Sequence, residues 1–261
     1  MKEMFQEIVQ YRQLLFTLAW RDIKIRYKQS VMGFMWAIFM PMLIVVAGIL
    51  VKKAFAVISG KPMELKDIMS VSVKALPWSF FVSSIKFSTN SLLANRNLVT
   101  KIYFPREVFP MAAVLANLFD FLIASVVLTL ILSFTGIGIS VQLCWLPVIL
   151  FFLIIFTTGL GLFLSCANLF FRDVKYIVDV IVTFAIFFTP VFYEASMFGR
   201  WEPILLLNPM GAMLENINFI VVYQNPPDLI WMMYSAIWAI GGLLLAWNIF
   251  HKAEFSFAEN I

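Results

Sequence analysis

The sequence predicts an all-α integral membrane protein, and three observations lead to this fold class. Hydrophobic residues make up 62% of its 261 residues and charged residues only 13%, and the mean hydropathy is +0.92. Several uncharged segments reach the roughly 20 residues that a helix needs to cross a bilayer. Lysine and arginine are also divided unequally between alternate loops. This composition excludes a water-soluble fold, and it argues against a disordered chain or a nucleic-acid-binding protein.

Residues 1–30 are predicted to form an amphipathic helix that lies on the cytoplasmic surface of the membrane. Apolar side chains recur there at roughly helical spacing, and the cations fall mostly on other faces. The high charge argues against a cleavable signal peptide, so the segment is expected to remain. A plainer interpretation is that its positive charge only sets the orientation of the chain.

Six transmembrane helices are predicted within residues 31–250. The spans cover about 31–51, 75–95, 108–135, 141–171, 176–193 and 229–250. Spans one, four and six contain no charged residue, whereas span two is interrupted by Lys86 and is assigned mainly because the topology requires it. An even number of spans places both termini on the same side of the membrane.

The positive-inside rule assigns that shared side to the cytoplasm. The N-terminal segment, the loops 96–107 and 172–175 and the tail 251–261 together hold 12 Lys and Arg residues, against six in the loops on the opposite side. Five of those six are lysines within residues 52–74, and they argue weakly against the assignment.

Residues 194–228, between spans five and six, are predicted to form a re-entrant hairpin in the outer leaflet. The segment is apolar in patches, but it is broken by Asn208, Pro209 and Gly211 and carries Glu215, so it is a poor full span. Broken backbone survives at membrane depth only where protein or a water-filled cavity covers it, which suggests that the hairpin lines a pathway. The alternative is a pair of interfacial helices that merely caps the bundle.

Charged residues in or near the spans are interpreted as parts of ion pairs. Lys86 and Asp120 are predicted to pair across spans two and three, and the alternative is that both face a water-filled interior. Asp179 lies four residues after Lys175 and is predicted to pair with it on one helix surface. His251 is predicted to lie at headgroup level, without a metal or catalytic partner.

A longer motif carries a family resemblance. Residues 95–110 read NRNLVTKIYFPREVFP and resemble the signature loop of type-2 ABC exporter permeases that transport polysaccharides and teichoic acids. RDIKIRYK at 21–28, TPVFY at 189–193 and LNPM at 207–210 are similar to further motifs of that family, in the same order. The resemblance extends from residue 11 to residue 250. It is nearest to the O-antigen exporter permeases (Wzm-like), with teichoic-acid and capsule exporter permeases next.

The resemblance implies that the loop 96–107 docks into a cleft of a separate nucleotide-binding subunit. The residues assigned to this coupling loop are Asn97, Leu98, Lys101, Tyr103, Phe104, Pro105, Arg106 and Glu107. Their chemistry is suitable, because aromatic side chains can anchor in a pocket while charged ones pair at its rim. On composition alone, the same basic loop is explained as an orientation signal.

The energy source is expected on a partner, because the chain contains no GxxxxGK[ST] phosphate-binding loop. ATP and Mg²⁺ are therefore expected in a separate ABC ATPase, and no cofactor or metal is expected on this chain. A six-helix bundle leaves little room for a sugar polymer, and the family implies a homodimer with the channel between its two copies. The expected complex has two permease chains and two ATPase subunits, surrounded by membrane lipids and without nucleic acid.

Four cations of the N-terminal segment are candidates for recognising the head group of a lipid-linked substrate. They are Arg21, Lys24, Arg26 and Lys28. At the cytoplasmic headgroup level, their charge would favour a pyrophosphate-linked glycolipid. Orientation of the chain and attraction to anionic lipids explain them equally well.

An aromatic channel is predicted near the end of span five and in the hairpin. Its candidate residues are Phe187, Phe188, Pro190, Phe192, Tyr193, Trp201, Asn208, Pro209 and Glu215. Aromatic faces with few strong charges would let a sugar chain slide without being trapped. Most of the 28 Phe and 8 Trp residues are nevertheless expected to face lipid or to pack between helices.

The function expected from the resemblance is that of the transmembrane permease subunit of an ATP-driven exporter, which moves lipid-linked O-antigen polysaccharide across a bacterial inner membrane. Permeases for teichoic acid, capsular polysaccharide or a small-molecule drug in the same superfamily are the alternatives. An enzyme is disfavoured because the acidic residues of the spans stand apart on different helices. A secondary transporter is disfavoured because the two halves of the sequence show no repeat.

Overall fold

The computed structural model describes residues 9–28, 33, 35–60, 62–101, 104–134, 140–254 and 257. All regular secondary structure among these residues is helical, which confirms the all-α class. The α-helices are α1 (Arg12–Lys28), α2 (Met35–Ser59), α3 (Leu65–Ala94), α4 (Arg96–Lys101), α5 (Val108–Ser133), α6 (Leu146–Phe170), α7 (Val174–Phe188), α8 (Glu202–Leu206), α9 (Pro209–Val221) and α10 (Leu229–Ala253). Two 3₁₀ segments, Val141–Trp145 and Ala195–Trp201, precede α6 and α8.

Five helical segments have the length and composition to cross a membrane. They are Met35–Ile58, Leu65–Ala94, Val108–Ser133, Val141–Phe170 and Leu229–Ala253. Several such helices in one chain are typical of a multi-pass membrane protein. α7 is shorter, because its 15 residues extend only about 22 Å. It ends at Phe188, so the predicted fifth span at 176–193 is not helical over its last residues.

α3 is the central helix of the bundle. In its most apolar stretch 72% of the residues are buried, compared with 17% in α2 and 28% in α5. It packs against α2, α5, α6, α7 and α9. α3 begins at Leu65, well before the start predicted for span two, and the Asp67 carboxylate caps it by accepting a hydrogen bond from the Glu64 N–H (2.9 Å). Much of the predicted loop 52–74 is therefore helical.

The bundle has one core at each end. At one end, Leu15 and Leu18 of α1 pack with Phe104, Phe250 and Phe257, so the first and last described parts of the chain meet there. We call this the terminal end. The larger core includes α3 and most of the buried side chains of α9. We call the end that carries α8 and α9 the hairpin end.

Residues 194–228 form a broken helical pair at the hairpin end. Pro209 is the first residue of α9, and the Asn208 side chain caps the helix by accepting a hydrogen bond from the Met210 N–H (3.1 Å). Asn208 Nδ2 also donates to Thr189 Oγ1 (2.9 Å), which ties the pair to the end of α7. α9 is buried along most of its length, whereas the preceding 3₁₀ segment and α8 expose large apolar side chains.

The contact between α6 and α10 depends on the absence of a side chain at Gly159. A Cβ atom there would lie 2.9 Å from the backbone N and Cα atoms of Leu243, which is closer than such atoms approach. We expect Gly159→Ala to push the helices apart and to lower the free energy of unfolding by about 1–3 kcal/mol. A lower Tm of the detergent-solubilised protein would report this change.

Gly241→Ala in α10 is the matched control for that prediction. A Cβ at Gly241 meets no atom within 4 Å, and alanine is a better helix former than glycine. The control variant should therefore keep the Tm of the unmodified protein. Equal Tm values for the two variants would contradict the close contact at Gly159.

Candidate functional site

A charged cleft of about 700 Å³ opens at the terminal end, between α1, α3, α5 and α7. Four cations and two carboxylates line it: Arg21, Arg26, Lys86, Lys175, Asp22 and Asp179. We call this the charged cleft. Because cations outnumber carboxylates in its wall, the cleft favours an anionic group.

Arg21 is held in the cleft wall by hydrogen bonds from two directions. Its Nη2 donates to Asp22 Oδ1 and to Asn95 Oδ1, both at 2.8 Å, and its Nε donates to Asp22 Oδ1 at 3.1 Å. Asn95 in turn donates through Nδ2 to the Ser91 carbonyl (2.9 Å). Arg21 therefore links α1 to the end of α3 and presents a guanidinium of fixed orientation.

Asp120 binds the end of α1, and the predicted pairing with Lys86 is wrong. Arg26 and Tyr27 both donate to the Asp120 carboxylate, and Arg26 also donates to Asn117 Oδ1 (3.2 Å). α1 packs along α5, which brings these donors to Asp120 from a segment that the sequence analysis placed only on the membrane surface. Burial and the adjacent carboxylate raise the pKa of the Tyr27 hydroxyl above its ordinary value, so Tyr27 stays a donor.

Lys86 pairs instead with Asp179 of α7, at 3.4 Å between Nζ and Oδ1. The predicted pair between Asp179 and Lys175 is therefore wrong, because α3 packs on α7 and supplies the nearer cation. Lys175 Nζ lies 5.2 Å from the centre of the Tyr176 ring. Both members of the Lys86–Asp179 pair are more than a third exposed, so they contribute little to stability and remain accessible from the cleft.

The cleft contains half of the cations predicted to recognise a lipid head group. Arg21 and Arg26 line it, whereas Lys24 and Lys28 do not. Lys24 is exposed and lies 5.7 Å from the centre of the Trp20 ring. The sequence analysis did not include Lys86 and Lys175 among the cations of this cleft, although it identified both as charges in or near the spans. Their roles in recognition stay predictions.

The predicted coupling loop is partly helical and partly buried. Asn97 in α4 is exposed, Leu98 and Pro105 are half-buried, and Phe104 is buried with its ring 5.4 Å from that of Phe109. Tyr103 and the side chain of Lys101 lie outside the described residues. Phe104 therefore packs within this chain, and a role in anchoring a partner stays a prediction.

Arg106 and Glu107 contact the last helix of the chain. Arg106 donates to the Glu254 carbonyl through Nη1 (2.5 Å) and to Glu254 Oε1 through its backbone N–H (3.3 Å). His251 Nδ1 lies 3.7 Å from Glu107 Oε1 and 3.8 Å from Glu254 Oε2. The position of His251 at headgroup level stays a prediction, and the structure brings two carboxylates to it, one from the coupling loop and one from the residue after α10.

The family model for ABC-2 type transporters matches residues 13–221, which is most of the chain. This protein belongs to the ABC-2 type transporter family. It is a membrane transport subunit and not an enzyme, in agreement with the sequence analysis. The match includes both the charged cleft and the coupling loop.

Curated relatives resemble the chain over nearly its whole length. It is 31% identical to the O-antigen export system permease protein RfbA of Myxococcus xanthus, over the full length of both proteins. It is also 30% identical to an O-antigen export system permease protein RfbA of Klebsiella pneumoniae, over 94% of each protein. A second protein with that name from Klebsiella pneumoniae is 28% identical over 94% of each.

The channel residues predicted for this transporter subunit fall into a buried and an exposed group. Pro190, Phe192 and Glu215 are buried, Tyr193, Asn208 and Pro209 are half-buried, and Phe187, Phe188 and Trp201 are exposed. The structure brings Phe187, Phe192 and Tyr193 together: the first two rings lie 6.4 Å apart, and the Tyr193 hydroxyl donates to the Phe187 carbonyl (3.0 Å). Their role in a channel stays a prediction.

Glu215 belongs to a buried ion pair that sequence reasoning missed. Lys74 is completely buried, and its Nζ donates to the Tyr193 carbonyl (2.6 Å) and to Glu215 Oε1 (3.3 Å). The same Glu215 oxygen accepts a hydrogen bond from the Ala195 N–H (3.0 Å). Lys74 therefore ties α3 to α9 and to the segment that joins α7 to the hairpin. The signal in the sequence was a single lysine between apolar residues, in VSVKALPW.

A second ion pair lies beside it at the hairpin end. Lys52 is buried, and its Nζ lies 2.8 Å from Asp67 Oδ1 and 3.7 Å from Glu194 Oε1. The Tyr223 hydroxyl donates to Glu194 Oε1 (2.7 Å), and burial, together with this carboxylate, raises the pKa of Tyr223. Two lysines of the predicted loop 52–74 thus hold the helices of the hairpin end together.

Proposed function

We propose that this chain is the membrane permease subunit of an ATP-driven exporter that moves lipid-linked O-antigen polysaccharide out of the cytoplasm, across a bacterial inner membrane. The observation that carries the proposal is the identity of 28–31% to relatives named O-antigen export permeases, over nearly the whole chain. Transport is the activity of the ABC-2 type transporter family. The cations of the charged cleft could bind the anionic diphosphate that links the lipid to the glycan.

The proposed complex contains two copies of the chain and two ABC ATPase subunits, which bind ATP and Mg²⁺. The exposed apolar faces of α2 and α7 support the dimer, because they are available to lipid or to a second copy. α7 also forms one wall of the charged cleft, so a second copy against it would extend the pathway. The coupling loop, at the terminal end, is the proposed contact with the ATPase.

Six spans with both termini in the cytoplasm are part of the proposal. α7 would be the fifth span, completed by the non-helical residues 189–193. The meeting of α1 with the end of α10 in one core supports an even number of spans, and the excess of Lys and Arg supports the cytoplasmic side. The burial of α9 supports a re-entrant hairpin over an interfacial cap, since an interfacial helix would expose its polar face.

In the proposed mechanism, the charged cleft receives the substrate from the cytoplasmic side of the membrane. Arg21 and Lys175 would attract the diphosphate that joins lipid to sugar, while Asn90 and Asn95 offer amide groups to sugar hydroxyls. The accessible Lys86–Asp179 pair can exchange partners with a passing charged group because it is weakly held. The glycan would then pass the aromatic residues at the end of α7.

The proposed function is tested by reconstituting the chain with its ABC ATPase in proteoliposomes. We expect ATP hydrolysis to rise when diphosphate-linked O-antigen lipid is present, and to stay basal with the same lipid diphosphate without sugar. Transport is measured as glycan that becomes accessible to an externally added lectin. Stimulation by a teichoic-acid lipid but not by the O-antigen lipid would overturn the choice of substrate.

The cleft assignment predicts that Lys175→Gln weakens the response to substrate. Loss of one charge-assisted contact of about 1.4 kcal/mol would raise the substrate concentration for half-maximal ATPase stimulation about tenfold. Lys24→Gln is the matched control, because Lys24 carries the same charge on α1, which also lines the cleft, but lies outside the cleft itself. If both variants respond alike, general attraction of anionic lipids explains these cations better than the cleft does.

A further inference from the structure

Arg106 of the coupling loop is fastened to the C-terminal end of its own chain. Its backbone N–H and its Nη1 donate to the carboxylate and to the carbonyl of Glu254, at 3.3 and 2.5 Å. Its guanidinium also lies 5.8 Å from the centre of the Phe257 ring. Arg106 is only 16% exposed. Its guanidinium therefore interacts mainly with groups of the permease itself, and little of it is exposed to another subunit.

Glu107 makes a second connection to the same part of the chain. Its side chain is 4% exposed, and its Oε1 lies 3.7 Å from His251 Nδ1. A carboxylate buried to this extent requires a nearby donor or cation. His251 also approaches Glu254 (3.8 Å), so it stands between a carboxylate of the loop and the carboxylate of the residue that follows α10.

An aromatic core lies beneath these polar contacts. Phe257 is fully buried, and its ring lies 5.1 Å from that of Phe250 and 6.0 Å from that of Phe170. Phe104 of the coupling loop is part of the same core. The loop is therefore joined to Glu254 by charge and to Phe257 by apolar packing, which makes separate movement of the loop and the end of α10 costly.

We propose that Arg106, Glu107, His251, Glu254 and Phe257 form a clasp that transmits movement of the coupling loop to α10. The inference rests on the proposed function, in which an ABC ATPase moves this loop. α10 contacts α6 closely at Gly159, so displacement of the clasp reaches the centre of the bundle through rigid helices. The five are positioning residues, because they orient the loop and touch neither ATP nor glycan.

The test is a charge exchange between Arg106 and Glu254, whose Nε and Oε1 atoms lie 4.0 Å apart, in the complete permease–ATPase complex. Arg106→Glu and Glu254→Arg are each made alone and then together. Three quantities are measured: the amount of ATPase that co-purifies, the rate of ATP hydrolysis, and glycan transported per ATP. Arg106→Lys serves as the conservative variant, and the Tm of each complex identifies any variant that fails to fold.

We expect each single reversal to lower transport per ATP at least about fivefold while the ATPase still co-purifies, and the double variant to recover most of that loss. Arg106→Lys should transport nearly as much glycan per ATP as the unmodified protein.

A double variant that transports as little glycan per ATP as Arg106→Glu alone would overturn the clasp. If the ATPase no longer co-purified with Arg106→Glu or with the double variant, Arg106 would lie in the subunit interface instead. If the single reversals do not fold, unchanged transport per ATP in Phe257→Ala, which removes the aromatic anchor, would overturn the proposal equally. Failure of the proposed function is distinct, since the unmodified complex would then show no glycan transport.

Discussion

Lys74→Met is expected to destabilise the protein more than any other single substitution considered. It leaves the Glu215 carboxylate buried at the hairpin end without its cation, and removing one partner of a buried ion pair costs about 3–5 kcal/mol. The Tyr193 carbonyl would lose its donor as well. We expect a large fall in the Tm of the detergent-solubilised protein and in the amount of protein recovered from the membrane.

Lys53→Met is the matched control, because Lys53 is exposed on α2 near the same end of the bundle. It should leave the Tm close to that of the unmodified protein. The double variant Lys74→Met, Glu215→Gln should recover part of the loss, since Gln is neutral and can still accept the Ala195 N–H. A double variant whose loss of stability equals the sum of the losses in Lys74→Met and in Glu215→Gln alone would show that Lys74 and Glu215 are not energetically coupled.

Most of the long helices could be predicted from their apolar length. α2, α5, α6 and α10 each contain a long apolar run, because the bilayer imposes the same requirement on every span. α3 was predicted to begin too late. Its first turns carry Lys66, Asp67 and Lys74, which resemble a solvated loop when their partners are unknown. Lys52 and Glu215 supply partners for two of them from distant parts of the chain.

The end of α7 could have been predicted more accurately. Proline disfavours helical backbone at the residue before it, and Thr189 before Pro190 is indeed extended. The prediction nevertheless continued span five to residue 193, because the apolar sequence continues. Composition identifies where a chain can enter the membrane, whereas local steric effects decide where the helix ends.

The partners of the charged residues could not be predicted, because they depend on which helices pack together. The sequence analysis pairs Asp120 with Lys86 because both are charges within predicted spans, but α1 lies against α5 and brings Arg26 to Asp120. The approach of Glu107 to His251 could not be predicted, because the two residues are far apart in sequence. A motif can indicate that a loop is functional, but its internal contacts follow only from the tertiary structure.

Asp120→Ala is expected to release the end of α1 from the bundle. Arg26 and Tyr27 would both lose Asp120 as an acceptor, and Arg26 would keep only its bond to Asn117. Charge-assisted hydrogen bonds contribute about 1.5–3 kcal/mol each when buried, and less at the partial exposure of this pair. Because Arg26 lines the charged cleft, the cleft should lose its shape together with the helix end. We expect transport to fall at least about tenfold while the ATPase still co-purifies, because the clasp contacts of the coupling loop lie elsewhere.

Two further variants separate the hydrogen bonds of Asp120 from its charge. Asp120→Asn retains an acceptor for Arg26 or Tyr27 and should lose less transport than Asp120→Ala. Asp173→Asn removes one carboxylate from an exposed position at the terminal end and should have no effect. If Asp120→Ala transported normally, the apolar face of α1, through Leu15, Leu18 and Ile23, and the remaining hydrogen bonds of Arg21 and Arg26 would be enough to hold the helix. Arg26 would then keep only Asn117 as a partner on α5, and the Asp120 contact would not be needed for the cleft to form.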